Sequence, residues 1–268
     1  MTTLISWIAA DQRGPSSIYL AADSRITWGD ADRWDRGKKV FASHTLPLIV
    51  GYCGDVTFPI QAINQVLEAI DHSDLGMAVM KEDIVGNIVE QLRTSLSKYP
   101  SSQYHPFSIF ICLRKDDGLG CVFEAHEASF GGNRIPLLKK IDVPSSSILL
   151  ATGGSGRTSF KESYLTWWQS EVKGTSRAIY SAFCDALKSG KDPKSFGPPQ
   201  LVGLYRKGNG ISFGSVWDGV PYLGGMEMCP ELWRQNIRWY NELFEICDPL
   251  ELQRAETAQR HHRPNSLV

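Results

Sequence analysis

The sequence Ala21-Ala22-Asp23-Ser24-Arg25 and, further along the chain, Lys38-Lys39-Val40 decide the interpretation of the fold. An apolar run ends abruptly on Asp23, and a polar connection leads from there to the two lysines. Burying a carboxylate at the end of a strand costs free energy unless it is paired, and Lys39 is the candidate partner. The sequence therefore predicts an Asp23–Lys39 ion pair, which taken alone is either structural or catalytic.

The beginning of the chain adds a possible nucleophile to this pair. It reads Met1-Thr2-Thr3 and continues into an apolar strand that could bring Thr2 beside Asp23 and Lys39. A hydroxyl is a poor nucleophile without a nearby base, and a free α-amine, with a reference pKa of about 7.7–8, can serve as one at neutral pH. A terminal amine, a hydroxyl, a lysine and an aspartate together indicate an activated N-terminal nucleophile.

The composition excludes several classes of protein. The chain has 268 residues, 42% of them hydrophobic, and a formal net charge of −1, so no overall field attracts nucleic acid or an anionic membrane. It has no apolar stretch long enough to span a bilayer and no signal peptide pattern. The six cysteines are scattered without a CxxC pair, and the histidines show no ligand spacing. We expect a cytoplasmic protein without metal, cofactor, nucleic-acid or membrane partner.

Hydrophobic periodicity divides the chain into alternating groups of strands and helices. Short apolar runs separated by turn residues predict strands, and apolar residues at helical spacing predict helices. The predicted strands cover residues 3–10, 17–23, 39–42, 46–52, 107–114, 121–124, 147–152, 200–206 and 210–217. The predicted helices run from just after Asp55 to about 72, then over 82–97, 158–172 and 176–188, and last from near 230 to just before Pro249.

This order of elements predicts the architecture. Strands adjacent in sequence are joined by turns, so the sheets are expected to be mainly antiparallel. Two helical pairs covering two packed sheets give an α+β fold, a four-layer α-β-β-α sandwich. Residues 1–214 are expected to form this domain, and residues 215–268 a C-terminal extension with one amphipathic helix and a polar tail. One side of that helix would carry Trp233, Ile237, Tyr240 and Phe244.

Five short motifs occur in the order found in one family of enzymes. They are Met1-Thr2-Thr3, the run from Ala21 to Thr27, Lys38-Lys39-Val40, Gly51-Tyr52-Cys53-Gly54 and Asp192-Pro193-Lys194-Ser195. Over residues 2 to 214 the sequence resembles the proteasome-type N-terminal-nucleophile hydrolases, which include the proteasome β-subunits and the bacterial HslV-type threonine peptidase. The resemblance implies that loss of Met1 exposes the amine of Thr2.

The resemblance also implies the catalytic residues. Thr2 would attack the substrate, Lys39 would lower the pKa of the terminal amine, and Asp23 would hold Lys39. The N–H of Gly54 would stabilise the oxyanion. The family serine of a Gly-Ser-Gly motif falls on Gly154 without an alignment gap and on Ser155 with one, and we choose Ser155. The remaining predicted catalytic residues, which would orient the amine, are Asp192 and Ser195.

Four positions are expected to bind substrate by the same resemblance. Ile26, Phe41 and Tyr52 would line the pocket for the residue before the cleaved bond, which favours small or apolar side chains. Thr27, together with Gly54, would pair with the substrate backbone as an added strand.

Three functions follow as alternatives. The first is a threonine peptidase that acts on proteins or peptides inside a homo-oligomeric ring and, by family analogy, works with an ATP-driven unfoldase. The second is an amidohydrolase of the same chemistry that acts on a small amide. The third is a non-catalytic scaffold or assembly subunit, which retention of Met1 would favour because a blocked amine cannot act as a base.

Overall fold

The structure is a computed structural model that describes residues 2–29, 32–72, 76–229, 237–248 and 250–264. Its strands alternate with two pairs of helices, as the sequence predicts. In chain order the strands are β1 (Leu4–Asp11), β2 (Gly14–Ala22), β3 (Ile26–Trp28), β4 (Asp32–Trp34), β5 (Val40–Ala42), β6 (Leu48–Gly54), β7 (Phe107–Lys115), β8 (Val122–Phe130), β9 (Pro136–Ile141), β10 (Ile148–Gly153), β11 (Gln200–Tyr205), β12 (Ile211–Trp217), β13 (Val220–Leu223), β14 (Met226–Glu227), β15 (Trp239–Asn241) and β16 (Ile246–Cys247).

These strands form two large sheets and one small hairpin. The first sheet has the order β10-β1-β2-β11-β12-β13-β14, and β15 joins it beside β12 with β16 on its outer side. The second sheet has the order β5-β6-β7-β8-β9, and β3 pairs with β4 alone. Within the described strands every pairing is antiparallel except that of β12 with β15. The expectation of mainly antiparallel sheets is confirmed.

The described part of the chain contains four α-helices, α1 (Thr57–Asp71), α2 (Gly76–Ser97), α3 (Arg157–Trp168) and α4 (Ser176–Lys188). The bounds of α4 match the prediction because local signals mark both ends. The Thr175 hydroxyl caps its start by accepting from the Ala178 N–H at 3.2 Å, and Gly190 follows its end with a φ of +63°. α2 is kinked at Asp83, which lies near the predicted start of that helix at residue 82.

Three large apolar clusters hold the elements together, and a small fourth one contains Val216, Trp239 and Cys247. Residues of β1 and β2 alternate between two of them, as strands do: Leu4 and Leu20 contact residues of the second sheet, whereas Ile5 and Ala21 pack with α3 and α4. The third cluster joins the other face of the second sheet to α1 and α2. Burial of this apolar surface is the main source of stability for the fold.

The predicted C-terminal helix is wrong over residues 237–248, which form β15, a turn and β16 instead; residues 230–236 lie outside the described residues. A helix would fit the spacing of Ile237, Tyr240 and Phe244. The neighbouring side chains of Trp239 and Tyr240 are nevertheless buried in different clusters, because successive side chains of a strand point to opposite faces. The Asn241 side chain then accepts from two following N–H groups, which favours a turn over a helix.

The extension belongs to the first sheet by hydrogen bonding. The predicted boundary between residues 214 and 215 falls inside β12. Trp239 pairs with Gly214, and a side chain at Gly214 would overlap the Trp239 ring, so the glycine leaves room for the indole. No helix in the described ranges is long and apolar enough to cross a membrane.

Candidate active site

A buried ion pair lies at the end of β2. The Lys39 Nζ is 2.9 Å from the Asp23 Oδ1, and neither side chain is exposed to solvent. The same ammonium donates to the Arg25 carbonyl oxygen at 2.6 Å. Asp23 and Lys39 are therefore brought together as the sequence predicts.

Three backbone N–H groups also bind the Asp23 carboxylate. Thr3 donates to Oδ1 at 2.9 Å, and Arg25 and Phe196 donate to Oδ2 at 3.0 and 3.2 Å. Burial raises the pKa of Asp23, whereas Lys39 and these donors oppose that rise. Burial also lowers the pKa of Lys39, and Asp23 opposes that shift. The carboxylate thus fixes three chain segments around one lysine.

Thr2 precedes β1 and is joined to this pair through Thr3. Thr3 is its neighbour in the chain, and the Thr3 N–H is held by Asp23. The Thr2 residue is fully buried, and its hydroxyl has no hydrogen-bond partner within the described residues. An unsatisfied buried hydroxyl is unfavourable, and a catalytic role is one of the reasons for which such a group is kept.

The loop after β10 packs against the start of the chain. The Gly156 N–H donates to the Thr2 carbonyl at 3.4 Å, and a side chain at Gly154, where φ is +86°, would overlap that carbonyl. The Ser155 hydroxyl donates to the Asp192 Oδ2 at 2.7 Å. The loop therefore links Thr2 to the segment that carries Asp192.

Ser195 completes this side of the site. A Cβ at Gly156 would overlap the Thr3 hydroxyl and would lie 2.9 Å from the Ser195 Oγ and 3.1 Å from the Asp192 Oδ2. The Ser195 hydroxyl is buried without a partner in the part of the chain that the structure covers. Gly156 therefore lies where the side chains of Asp192, Ser195 and Thr3 meet. The catalytic roles of Asp192 and Ser195 remain predictions.

Gly54 is the last residue of β6, so the predicted glycine loop is the end of a strand. Its φ is +104°, and a Cβ would lie 2.6 Å from the Pro106 carbonyl oxygen, so only glycine fits there. The role of the Gly54 N–H as a hydrogen-bond donor to the oxyanion remains a prediction.

The predicted substrate-binding residues differ in their surroundings. Phe41 lines a cavity, whereas Tyr52 is fully buried and donates its hydroxyl to the Lys38 carbonyl at 3.1 Å. Ile26 is buried against Gly37. Thr27 lies in β3, partly exposed, and its Oγ1 finds no partner among the described residues.

Sequence reasoning missed Gln200, the first residue of β11. Its side-chain N–H groups donate to the carbonyls of Asp23 and Gly37 at 3.1 and 2.6 Å, and its Oε1 accepts from the Lys39 N–H at 2.9 Å. Gln200 therefore connects both backbones of the buried ion pair. An amide at the start of an otherwise apolar strand was the available signal.

Replacing Gln200 with methionine is expected to lower the free energy of unfolding by about 1–3 kcal/mol, because buried backbone groups of Gly37 and Lys39 lose their partner. The melting temperature should fall by about 2–12 °C. Calorimetry measures this change, with the exposed Gln103→Met as the control. An unchanged melting temperature for Gln200→Met would refute the bridging role.

Part of the C-terminal extension packs beside the site. The Ser215 hydroxyl donates to the Pro199 carbonyl at 2.6 Å, one residue before Gln200. The Arg36 guanidinium lies 5.0 Å from the centroid of the Tyr222 ring. The strands after residue 214 thus support the segment that leads to Lys39.

No protein-family model matches the sequence, and no curated protein is similar enough in sequence to match it. Among solved structures the chain is similar to eukaryotic HslV from Trypanosoma brucei, with a TM-score of 0.49 and 13% sequence identity. The match covers 75% of this chain and 99% of that chain. At this level of similarity, the chemistry has to be inferred from the residues of the site.

Proposed function

We propose that the protein is a threonine peptidase, in which Thr2 becomes the N-terminal nucleophile after Met1 is removed. The observation that supports this function is a buried, unpartnered Thr2 hydroxyl one residue before Thr3, whose N–H binds the carboxylate of the Asp23–Lys39 pair. The adjacent Thr3 N–H binds the same carboxylate as Lys39, so the start of the chain is fixed to the ion pair.

The chemistry consists of two acyl transfers. The α-amine of Thr2 takes the proton of the Thr2 hydroxyl as the oxygen attacks the substrate carbonyl. The C–N bond then breaks, the leaving amine takes that proton, and an ester on Thr2 remains. Water attacks the ester, again with the amine as base, and releases the carboxylic acid. Gly54 is the proposed donor to the oxyanion in both steps.

Lys39 would act on this reaction through its charge. An ammonium near the terminal amine disfavours a second positive charge, so the amine stays unprotonated at neutral pH. Asp23 offsets the cost of burying Lys39 and fixes its position. Ser155, Asp192 and Ser195 would orient the amine from the other side.

The proposed architecture is the four-layer sandwich. The three apolar clusters support it, because one lies between the two sheets and the other two join each sheet to a helical pair. Residues 1–214 would form this domain and residues 215–268 its extension.

We also propose a homo-oligomeric ring. Trp28 and Trp34 are 54% and 51% exposed, and their cross-strand positions place them on one face of the β3–β4 hairpin. Two large exposed aromatic side chains are typical of an interface. A protein substrate and an ATP-driven unfoldase remain predictions from the sequence.

The non-catalytic scaffold is the alternative function. Thr2 is fully buried, and with Met1 attached its amine could not act as a base. The two functions therefore differ in whether Met1 is removed.

The deciding experiment is the intact mass of the purified protein before and after treatment with a peptide epoxyketone, which reacts with N-terminal threonine. A peptidase should lack Met1 and gain one inhibitor mass, mapped by peptide sequencing to Thr2. Retained Met1 without an adduct would leave the fold in place and overturn the proposed function. Turnover of small amides but not of peptides would favour the amidohydrolase.

A further inference from the structure

A cavity of about 410 Å³ lies between the segment that carries Lys39 and the helix α1. One side is formed by two residues that flank Lys39 and Val40 in the chain, and the other by residues of α1. The lining residues are Lys38, Phe41, Ile60, Gln61, Asn64 and Gln65. This set contains one cation, three side-chain amides and no carboxylate.

The cation of this cavity is Lys38. Its Nζ lies 4.8 Å from the centroid of the Phe41 ring, and its aliphatic stem passes the turn at Gly224. Lys38 is an exposed residue at the edge of this cavity, and within the described part of the chain no carboxylate pairs with it. An ammonium without a counter-ion beside amide N–H groups favours an anionic ligand.

The position of the cavity connects it to the proposed chemistry. Lys38 directly precedes Lys39, and the Tyr52 hydroxyl holds its carbonyl at 3.1 Å. Phe41 belongs to the pocket that the sequence predicts for the residue before the cleaved bond. Of the three residues predicted for that pocket, Phe41 lines the cavity, whereas Ile26 and Tyr52 are buried and do not. The cavity therefore places a positive charge beside a residue of the pocket that the sequence predicts to be apolar.

We propose that this cavity receives an acidic side chain of the substrate residue before the cleaved bond, and that Lys38 determines this preference. The inference rests on the proposed peptidase function. The substrate carboxylate would bind the Lys38 ammonium and amide N–H groups of Asn64 and Gln65, while its methylene groups contact Phe41 and Ile60. A glutamate fits this pattern, and glutamine has the same shape without the charge.

The test uses fluorogenic peptides that differ only in that residue, with glutamate, glutamine, leucine or lysine. For the wild type, kcat/KM should be about tenfold or more higher with glutamate than with glutamine, because a hydrogen bond to a charged group is worth more than a neutral one. In Lys38→Met the ratio should fall to about one, and in Lys38→Glu a lysine peptide should become preferred. Lys139→Met, an exposed lysine of β9, is the control that should keep the wild-type ratio.

Each result has a defined meaning. Equal rates for glutamate and glutamine in the wild type, or an unchanged ratio in Lys38→Met, would overturn the inference. An epoxyketone with an apolar side chain reports the nucleophile separately, and Lys38→Met should still react with it. An adduct without glutamate preference refutes only the role of Lys38, whereas the absence of both adduct and hydrolysis refutes the proposed function as well.

Discussion

Replacing Thr2 with alanine is expected to lower kcat/KM for peptide hydrolysis by about 10⁴- to 10⁶-fold, as loss of an enzyme nucleophile does. The fold should be unaffected, because the Thr2 hydroxyl makes no hydrogen bond in the described structure. Removing an unsatisfied buried hydroxyl relieves its desolvation cost and offsets the small cavity that forms. The melting temperature should therefore change little while the activity is lost, as measured by calorimetry and steady-state kinetics.

Two further variants identify the nucleophile among adjacent threonines. Thr2→Ser keeps a hydroxyl and should keep measurable activity and adduct formation. Thr3→Ala removes the neighbouring hydroxyl but leaves the Thr3 N–H on Asp23, so most of the activity should remain. If Thr3→Ala abolished the adduct and Thr2→Ala did not, Thr3 would be the nucleophile and the proposed assignment would be wrong.

The sequence could predict the ion pair because the physical requirement is local. A carboxylate at the end of a buried strand needs a partner, and Lys39 is a cation at the start of the next apolar run. The helix α4 was predictable for a similar reason, because its cap, its periodicity and its terminating glycine all lie within one segment. Where several local signals agree in this way, the sequence alone predicts the element.

The errors concern contacts between distant segments. Residues 239–241 form a strand because they pair with residues 214–216 of β12. No local sequence pattern encodes a pairing between segments that are distant in the chain. Gln200 was overlooked because its partners are more than 160 residues away in the chain. The sequence shows Lys38 only as the residue before Lys39. Its position over the Phe41 ring and opposite α1 results from tertiary packing, which the sequence pattern does not contain.

Replacing Asp23 with asparagine is expected to lower the free energy of unfolding by about 3–5 kcal/mol, because it removes the carboxylate that lies 2.9 Å from the buried Lys39 ammonium. For a chain of this size the melting temperature should fall by about 6–20 °C. An asparagine also presents an NH₂ group to N–H donors such as those of Thr3 and Phe196, so it cannot replace the carboxylate. Calorimetry at neutral pH measures the loss.

The double variant Asp23→Asn/Lys39→Met is the matched control. It also removes the buried ammonium while keeping about the length of the lysine stem, so it should be more stable than Asp23→Asn alone. Both variants should lack peptidase activity. If the double variant were less stable than the single one, the buried ammonium would not be destabilising in the absence of the Asp23 carboxylate, and the role of the buried pair would have to be reinterpreted.

The pH dependence separates the charge effect from lost hydrogen bonds. In Asp23→Asn, burial lowers the Lys39 pKa further than in the wild type, because the opposing carboxylate is gone. Between that lowered pKa and the ordinary value of 10.5, the unfolded chain binds more protons than the folded one, so the free energy of unfolding rises with pH. The rise reaches at most about 1.4 kcal/mol per pH unit for one proton. The difference in stability between wild type and Asp23→Asn should therefore become smaller as the pH rises toward the ordinary lysine pKa of 10.5. Asp23→Asn/Lys39→Met should lack this dependence. A difference that stays constant would mean that lost hydrogen bonds, and not the buried charge, cause the loss of stability.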